Sequence, residues 1–394
     1  MKLRTIINIS GEEPKSTPQG LPLALCHSLR PASIMAPMRT ADRSILPSQL
    51  RSAGLCLVVP MILMLAQGCV GLGSEHPPVL LKRAQMHMGT VVSITAVASN
   101  KDAAQAAVQA GFQEIKRLEQ LLSTWRPDSD LSRVNSAAGE RPVRVSEETF
   151  KLVARSLEIA QMTEGGFNIA VGPAVEAWSV TERQQIPSPR DLEQLQPLVD
   201  WRVIQLDAGE RTIFLPRRGM RIDVGGIGKG YAADRAANVM KQVGGFGGVV
   251  ALSGDIKTFG NLPEQGGFPV GVRHPRREGS LLATITLKNE AISTAGDYER
   301  YFERDGVRYH HILDPVTLQP ARECQSVTVV ASDGTTADGL DTGLFVMGRE
   351  RAMELIERLP GVGAIIVDRD GKVWVSSRLR GRVILESPAI QRLR

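Results

Sequence analysis

From Val91 to Val97 apolar and polar residues alternate, the period of a half-buried strand. The period then changes. Val108, Phe112, Ile115, Leu118 and Leu122 recur at three- and four-residue spacing, which predicts an amphipathic helix running through Leu122. Ser99 and Asp102 offer it a capping box. Phe150, Val153, Leu157 and Ala160 repeat the spacing behind Ser146, a good N-cap residue, and predict a second helix. Residues 181–202 are polar and marked by prolines, an excursion from the periodic pattern. Val203–Leu206, Thr212–Leu215 and Arg221–Val224 read as strands, and Tyr231–Val243 as a helix. Glycine-rich 244–248 then leads into a buried strand, Val249–Leu252.

The second half is richer in strands. Phe268–Arg273, Ala283–Leu287, Tyr301–Glu303, Val307–Ile312 and Val327–Val330 carry strand composition. Residues 335–347 and 350–359 read as two helices broken at Gly348. Ile365–Val367 and Val373–Val375 flank Asp370-Gly371, a hairpin signal. Strands neither alternate strictly with helices nor form one uninterrupted block. The pattern therefore predicts an α+β fold.

Composition narrows the function classes. The 394 residues are 42% hydrophobic and 23% charged, enough apolar content for a real core, and no heptad or collagen period runs through them. Aromatics at 4% leave little for a stacking surface of the kind single-strand nucleic-acid binders use. The net charge of +5 is concentrated in residues 1–69, where seven Lys or Arg face three acids. The rest carries a net +1, which argues against a nucleic-acid partner.

The N-terminal region reads as an export signal. Residues 53–66 are an apolar run, too short to span a bilayer but of h-region length, preceded by Arg39, Arg43 and Arg51. Leu65-Ala66-Gln67-Gly68-Cys69 resembles the lipobox of bacterial lipoproteins, with Cys69 as the lipidated residue; plain secretion is the other reading. Residues 1–34 are polar and lie upstream of Met35 and Met38, either of which would serve as the start of translation. The expected organisation is a signal region at 1–68, a lipid-anchored tether at 69–84, a globular body at 85–386 and a tail at 387–394. Of four cysteines only Cys324 stays in the body, so no intramolecular disulfide is available there.

Three segments offer chemistry. Asp223-Val224-Gly225-Gly226-Ile227-Gly228-Lys229-Gly230-Tyr231 stands between a predicted strand and a helix. Glycines allow close backbone approach and a helix N-terminus favours an anion such as phosphate. The spacing is neither a P-loop nor a Rossmann fingerprint, and a tight turn packed on glycines explains the pattern equally well. Asp338 and Thr342, i and i+4 on one helix face, would direct two oxygens at a hard cation such as Mg²⁺, with Asp341 as a second carboxylate. Acids suited to a helix N-terminus are the alternative. His310 and His311 precede Asp314-Pro315, where a histidine would serve as a general base; the remaining histidines lack zinc-site spacing. Gly165-Gly166-Phe167-Asn168 and Ala291–Tyr298 read as loops, and no G-x-S-x-G elbow is present.

In this order the motifs are specific. Met88-Gly89-Thr90, Ser123-Thr124-Trp125 with Asp130–Asn135, Gly166-Phe167-Asn168, the 223–231 loop and Ser253-Gly254-Asp255-Ile256 come first. Ile292–Gly296, His311–Pro315 and Ala337–Gly343 follow. Together they resemble the ApbE-type FAD:protein FMN transferases over residues 84–378. The resemblance implies an ApbE-like flavin transferase fold, a mixed β-sheet core with packed helices. It also implies Mg²⁺-dependent transfer of FMN from FAD to a Ser/Thr hydroxyl of an acceptor protein, an electron-transfer subunit, with AMP released. Met88, Trp125, Gly166, Phe167, Asn168, Asp223, Lys229 and Ile292 match positions that hold FAD. Asp338, Thr342 and the Gly226 carbonyl match the Mg²⁺ ligands. His311 matches the catalytic base, and His310 is outside the pattern. Asn168 stands where Asp is common, and Gly226 where Ala, Ser or Thr is common. A periplasm-facing lipoprotein of the bacterial inner membrane agrees with the N-terminal signal. An FAD-binding lipoprotein without catalysis, and a Mg²⁺-dependent FAD pyrophosphatase giving FMN and AMP, are the alternatives.

Overall fold

Asn100 caps the first helix: its side chain accepts the Ala103 amide at 2.9 Å, so the cap falls one residue beyond the predicted Ser99. The computed structural model describes residues 7–8, 77–260, 262 and 266–386. The apolar run 53–66, Cys69 and the tail 387–394 lie outside the described residues.

In chain order the first half contains β1 (Ile7–Asn8), β2 (Val79–His87), β3 (Thr90–Ala98), α1 (Lys101–Leu122), α2 (Asp130–Ser136), β4 (Val143–Arg144), α3 (Glu147–Met162), α4 (Gly172–Trp178), α5 (Pro189–Leu195), β5 (Gln205–Asp207), β6 (Thr212–Phe214) and α6 (Gly228–Gln242). The second half contains β7 (Gly247–Leu252), β8 (Asp255–Phe259), β9 (Phe268–Arg273), β10 (Leu281–Leu287), β11 (Ala291–Gly296), β12 (Tyr301–Arg304), β13 (Val307–His310), β14 (Cys324–Ala331), α7 (Gly334–Met347), α8 (Arg349–Arg358), β15 (Gly363–Asp368), β16 (Val373–Val375) and β17 (Val383–Leu385).

The α+β architecture is layered. An eight-stranded sheet in the order β16-β15-β14-β11-β8-β7-β3-β2 is antiparallel throughout. Mixed pairing enters through the second sheet, β1-β9-β10-β17, where β1 runs parallel to β9. Strand alternation splits the large sheet's residues between two cores. Val250, Ala291, Val327, Val329 and Ile366 face the helices, whereas Val249, Ile292, Val330, Ile365 and Val367 pack against Val270, Leu282 and Ile285 of the second sheet. On α1 the predicted stripe of Val108, Phe112, Ile115, Leu118 and Leu122 is buried in the helical layer.

Several elements depart from the sequence pattern. β2 begins at Val79, within the stretch read as tether, and pairs along its length with β3. Arg221–Val224 is irregular, because the Asn135 side chain takes both Ile222 main-chain groups, at 2.8 and 3.0 Å. Residues 291–296 form a central strand rather than a loop. Its small residues hide the alternation, because the face toward α7 is built for close approach rather than for bulk. Within the 181–202 excursion, Leu192 and Val199 join Trp178, Phe302 and Leu318 in a third apolar cluster. Among the described residues no helix is long and apolar enough to cross a membrane.

α6 and α7 meet backbone to backbone. A Cβ on Gly230 would stand 2.0 Å from the Gly334 carbonyl oxygen. Asp234 of α6 accepts the Gly334 and Thr335 amides, at 2.7 and 2.9 Å, and so caps α7 from its neighbour. No rotamer relieves a clash with main chain. Gly230→Ala is therefore expected to cost about 1–3 kcal/mol or more of stability in urea unfolding, as forced overpacking does. Ala at the exposed Gly244, where no atom lies within 4 Å, has only its positive φ to accommodate and serves as the milder comparison.

Candidate active site

Three elements converge where α6 begins. Lys229 lies in the first turn of α6, Asp255 opens β8, and Ser293 lies mid-way along β11. Alternation places Asp255 and Ser293 on the helix-facing side of the sheet, the side of Ala291 and Ala295. On α7 the spacing of Asp338, Asp341 and Thr342 puts all three on one face. Both α7 carboxylates are 2% exposed.

The polar atoms form one connected network. Asp338 Oδ2 accepts the Gly230 amide at 2.8 Å, and its Oδ1 lies 3.7 Å from Lys229 Nζ. Lys229 Nζ donates to Asp255 Oδ2. Ser293 Oγ sits between Asp255 Oδ1 and Asp341 Oδ2, the latter 2.6 Å away. Thr342 Oγ1–H donates to Asp341 Oδ1 at 3.1 Å. Ligand oxygens of Asp255, Asp338 and Asp341 all fall within 4.8 Å of one another.

This burial is costly. Three carboxylates share the space with one ammonium. Burial, then the Asp255 carboxylate, push Asp338 up to about 7 against the pull of Lys229. Burial and the other two carboxylates hold Asp341 well above the usual range. For Lys229, burial opposes the charged form, but Asp255 and Asp338 outweigh it and raise the pKa. The all-oxygen donor set with surplus negative charge fits a hard divalent cation such as Mg²⁺.

The two histidines differ in their bonds. His310 is 2% exposed. Its Nε2 donates to the Ala321 carbonyl at 2.7 Å and its Nδ1 accepts the Ile312 amide at 3.3 Å, so neither nitrogen is free. His311 is half-buried, with Nδ1 3.2 Å from the Arg300 carbonyl. A carbonyl only accepts, so Nδ1 carries the proton and Nε2 keeps its lone pair. Burial, then the Arg300 and His310 charges, hold its pKa well below 6.5, which leaves the ring neutral near pH 7.

The sequence-derived FAD positions fall into groups. Asp223 and Gly226 belong to the loop ahead of α6; Asp223 Oδ1 accepts the Gly225 amide at 2.6 Å. A Cβ on Gly226 would stand 3.1 Å from Thr342 Oγ1 and 3.4 Å from the Phe167 ring, so that loop, α7 and Phe167 adjoin. Gly166 packs against α7, where a Cβ would lie 2.7 Å from the Gly343 oxygen. Met88 holds a positive φ of 49° and its amide donates to Glu119 at 2.7 Å. Its methyl lies 3.9 Å from where a Gly228 Cβ would be. Asn168 accepts the Ala170 amide at 2.8 Å and donates to the Val199 carbonyl at 3.2 Å. An aspartate could not make that donation, so the Asn at this position serves the loop. Trp125 is 79% exposed, an aromatic face available for stacking. The Ile292 side chain is not brought to the cluster; it is wholly buried in the core between the two sheets.

Asp255 and Ser293 belong to the cluster, and sequence reasoning left both without a role. Their motifs were visible, but no spacing ties β8 and β11 to a helix far downstream.

A raised carboxyl pKa means that the native state holds its proton more tightly than the unfolded chain. That stabilisation is fully present below about 4 and is lost as pH rises through about 7. The melting temperature of metal-free protein should therefore fall as pH rises from 5 to 8. Mg²⁺ should raise it by a few degrees at pH 8 and by less at pH 5.5. Asp338→Asn should flatten the pH dependence and remove the Mg²⁺ gain, as read by scanning calorimetry.

The chain is similar in sequence and fold to known proteins. The sequence profile described as the ApbE family matches residues 88–366. A Treponema pallidum protein named FAD:protein FMN transferase is 34% identical over 319 residues, 76% of this chain and 88% of its own length. An Escherichia coli K12 protein of the same name is 32% identical and covers 68% and 79%. The crystal structure of the ApbE protein of Thermotoga maritima superposes with a TM-score of 0.72 at 31% identity, covering 77% of this chain and 99% of that one. The apo flavinyl transferase ApbE of Pseudomonas stutzeri gives 0.69 at 26% identity, covering 77% and 97%. By the length of the family match and the reach of these relatives, the chain belongs to the ApbE family.

Proposed function

We propose that this chain is a flavin transferase that moves the FMN half of FAD onto a Ser or Thr hydroxyl of an acceptor protein, with Mg²⁺ and with AMP as the leaving group. The observation that carries the reading is the oxygen cluster of α7 facing Lys229 at the N-terminus of α6. Pyrophosphate needs positive charge along its oxygens, and a helix N-terminus, a lysine and a cation site offer it together. Asp338, Thr342 and the Gly226 main chain would hold the Mg²⁺. Once bound, the ion neutralises charge on the pyrophosphate and on the departing AMP.

The protein's own residues do the rest. Lys229 and the loop of Asp223 and Gly226 seat the phosphates. Met88, Phe167 and Trp125 offer apolar and aromatic surface to the dinucleotide. His311 Nε2, unprotonated, takes the acceptor hydroxyl proton as its oxygen bonds to the FMN phosphorus. The bond from that phosphorus to the bridging oxygen breaks, and the oxygen departs with AMP. His310, with both nitrogens engaged, does not compete for this role.

The assay mixes protein, FAD, Mg²⁺ and an acceptor bearing a Ser/Thr flavinylation site, and reads covalent flavin fluorescence on a denaturing gel. Wild type labels the acceptor. His311→Ala loses roughly 10²–10⁴-fold in transfer rate while still binding FAD. Absence of label with wild type rejects the reading, and FMN and AMP appearing equally fast without acceptor makes the chain a pyrophosphatase.

The apolar run 53–66 and Cys69 support an exported, lipid-anchored protein facing the periplasm. Labelled palmitate should enter wild type and not Cys69→Ser; equal labelling of the two sinks the anchor.

A further inference from the structure

Asp341 is buried at the centre of the network, and each of its oxygens already meets a side-chain hydroxyl. Oδ1 accepts the Thr342 hydroxyl at 3.1 Å and Oδ2 lies 2.6 Å from Ser293 Oγ. Asp338 differs. Its Oδ2 takes one amide, and its Oδ1 lies 3.7 Å from the nearest ammonium, beyond hydrogen-bond reach.

A hydroxyl carries one proton and two lone pairs. With the Thr342 proton turned into Asp341, its lone pairs are left for another partner. A threonine free to rotate would spend part of its time aiming the proton outward, where it repels a cation. Ser293, 1% exposed between Ala291 and Ala295, sets its hydroxyl against the far oxygen of Asp341 from the centre of the sheet, its one proton shared between that oxygen and Asp255 Oδ1. Ser293 also touches Asp255, which pairs with Lys229. One sheet-borne hydroxyl thus links Asp341 of α7 to the Asp255–Lys229 pair.

We propose that Asp341 is a positioning residue rather than a cation ligand: held by Ser293, it turns the Thr342 hydroxyl so that its lone pairs face the divalent ion bound by Asp338. The assignment rests on the Mg²⁺ site proposed above. It gives a role to Asp341, which sequence spacing offered only as a second possible ligand.

The test is calorimetric titration of the metal-free full chain with MgCl₂, with and without FAD and always without acceptor. Ser293→Ala should weaken Mg²⁺ binding about 10-fold, the lower end of the effect of partners that orient a ligand. In a Thr342→Val background the same change should weaken it less than about 3-fold, because the group being oriented is gone. Thr342→Ser, which keeps the hydroxyl, should keep the full Ser293→Ala effect. Asp341→Asn, whose amide oxygen still accepts the Thr342 proton, should cost far less than Asp338→Asn. Should Ser293→Ala fail to fold by circular dichroism, Ser293→Cys, a poorer donor, runs through the same cycle.

Equal losses from Ser293→Ala in both backgrounds overturn the proposal. So does an Asp341→Asn loss as large as that of Asp338→Asn, or a wild type without saturable Mg²⁺ binding. A chain that shows the predicted coupling but never labels an acceptor rejects the transferase reading and leaves this one standing.

Discussion

Three carboxylates and one ammonium share a buried space between α6, α7 and the sheet, and that uncompensated charge organises the molecule around it. Unpaired buried carboxylates are among the most expensive groups a fold can carry. This one accommodates them through oriented partners: the Gly230 amide on Asp338, Lys229 on Asp255, and Ser293 between Asp255 and Asp341. The close approach of α6 and α7 serves the same end. Only glycines at the crossing let an amide of one helix reach a carboxylate of the other. Fold stability and the proposed cation chemistry therefore rest on the same few contacts.

Much of the scaffold was legible in sequence because it rests on local periodicity. The α1 stripe, the Ser146 cap, the break at Gly348 and the Asp370-Gly371 hairpin all depend on near neighbours. The misread segments depend on distant ones. Arg221–Val224 has strand composition, but Asn135, far upstream, claims its main chain. Ala291–Gly296 carries small and polar residues suited to a loop, yet lies between β8 and β14 at the sheet centre, because α7 needs a low surface to pack on. β2 lacked a signal because it is an edge strand with little burial on either face.

The site divides the same way. Asp338 and Thr342 announced themselves through helical spacing, and Lys229 through its glycine-rich setting. Asp255 and Ser293 did not, since their value lies in a meeting of β8, β11 and α7 that only the tertiary structure creates. Asn168 illustrates the converse. Family resemblance pointed it at FAD, whereas both ends of its amide are spent on the main chain of its own surroundings. Between His310 and His311 the resemblance already favoured His311; what the structure adds is that both His310 nitrogens are engaged while His311 Nε2 keeps its lone pair.

The central claim is that a divalent ion sits against Asp338 and Thr342 where the FAD pyrophosphate arrives. Anomalous diffraction from crystals soaked with Mn²⁺ and FAD tests it most directly. The account predicts a peak within bonding distance of an Asp338 oxygen, Thr342 Oγ1 and a pyrophosphate oxygen, with Asp341 outside that distance. A flavin bound with no peak there, or a peak held elsewhere on the protein, would contradict it.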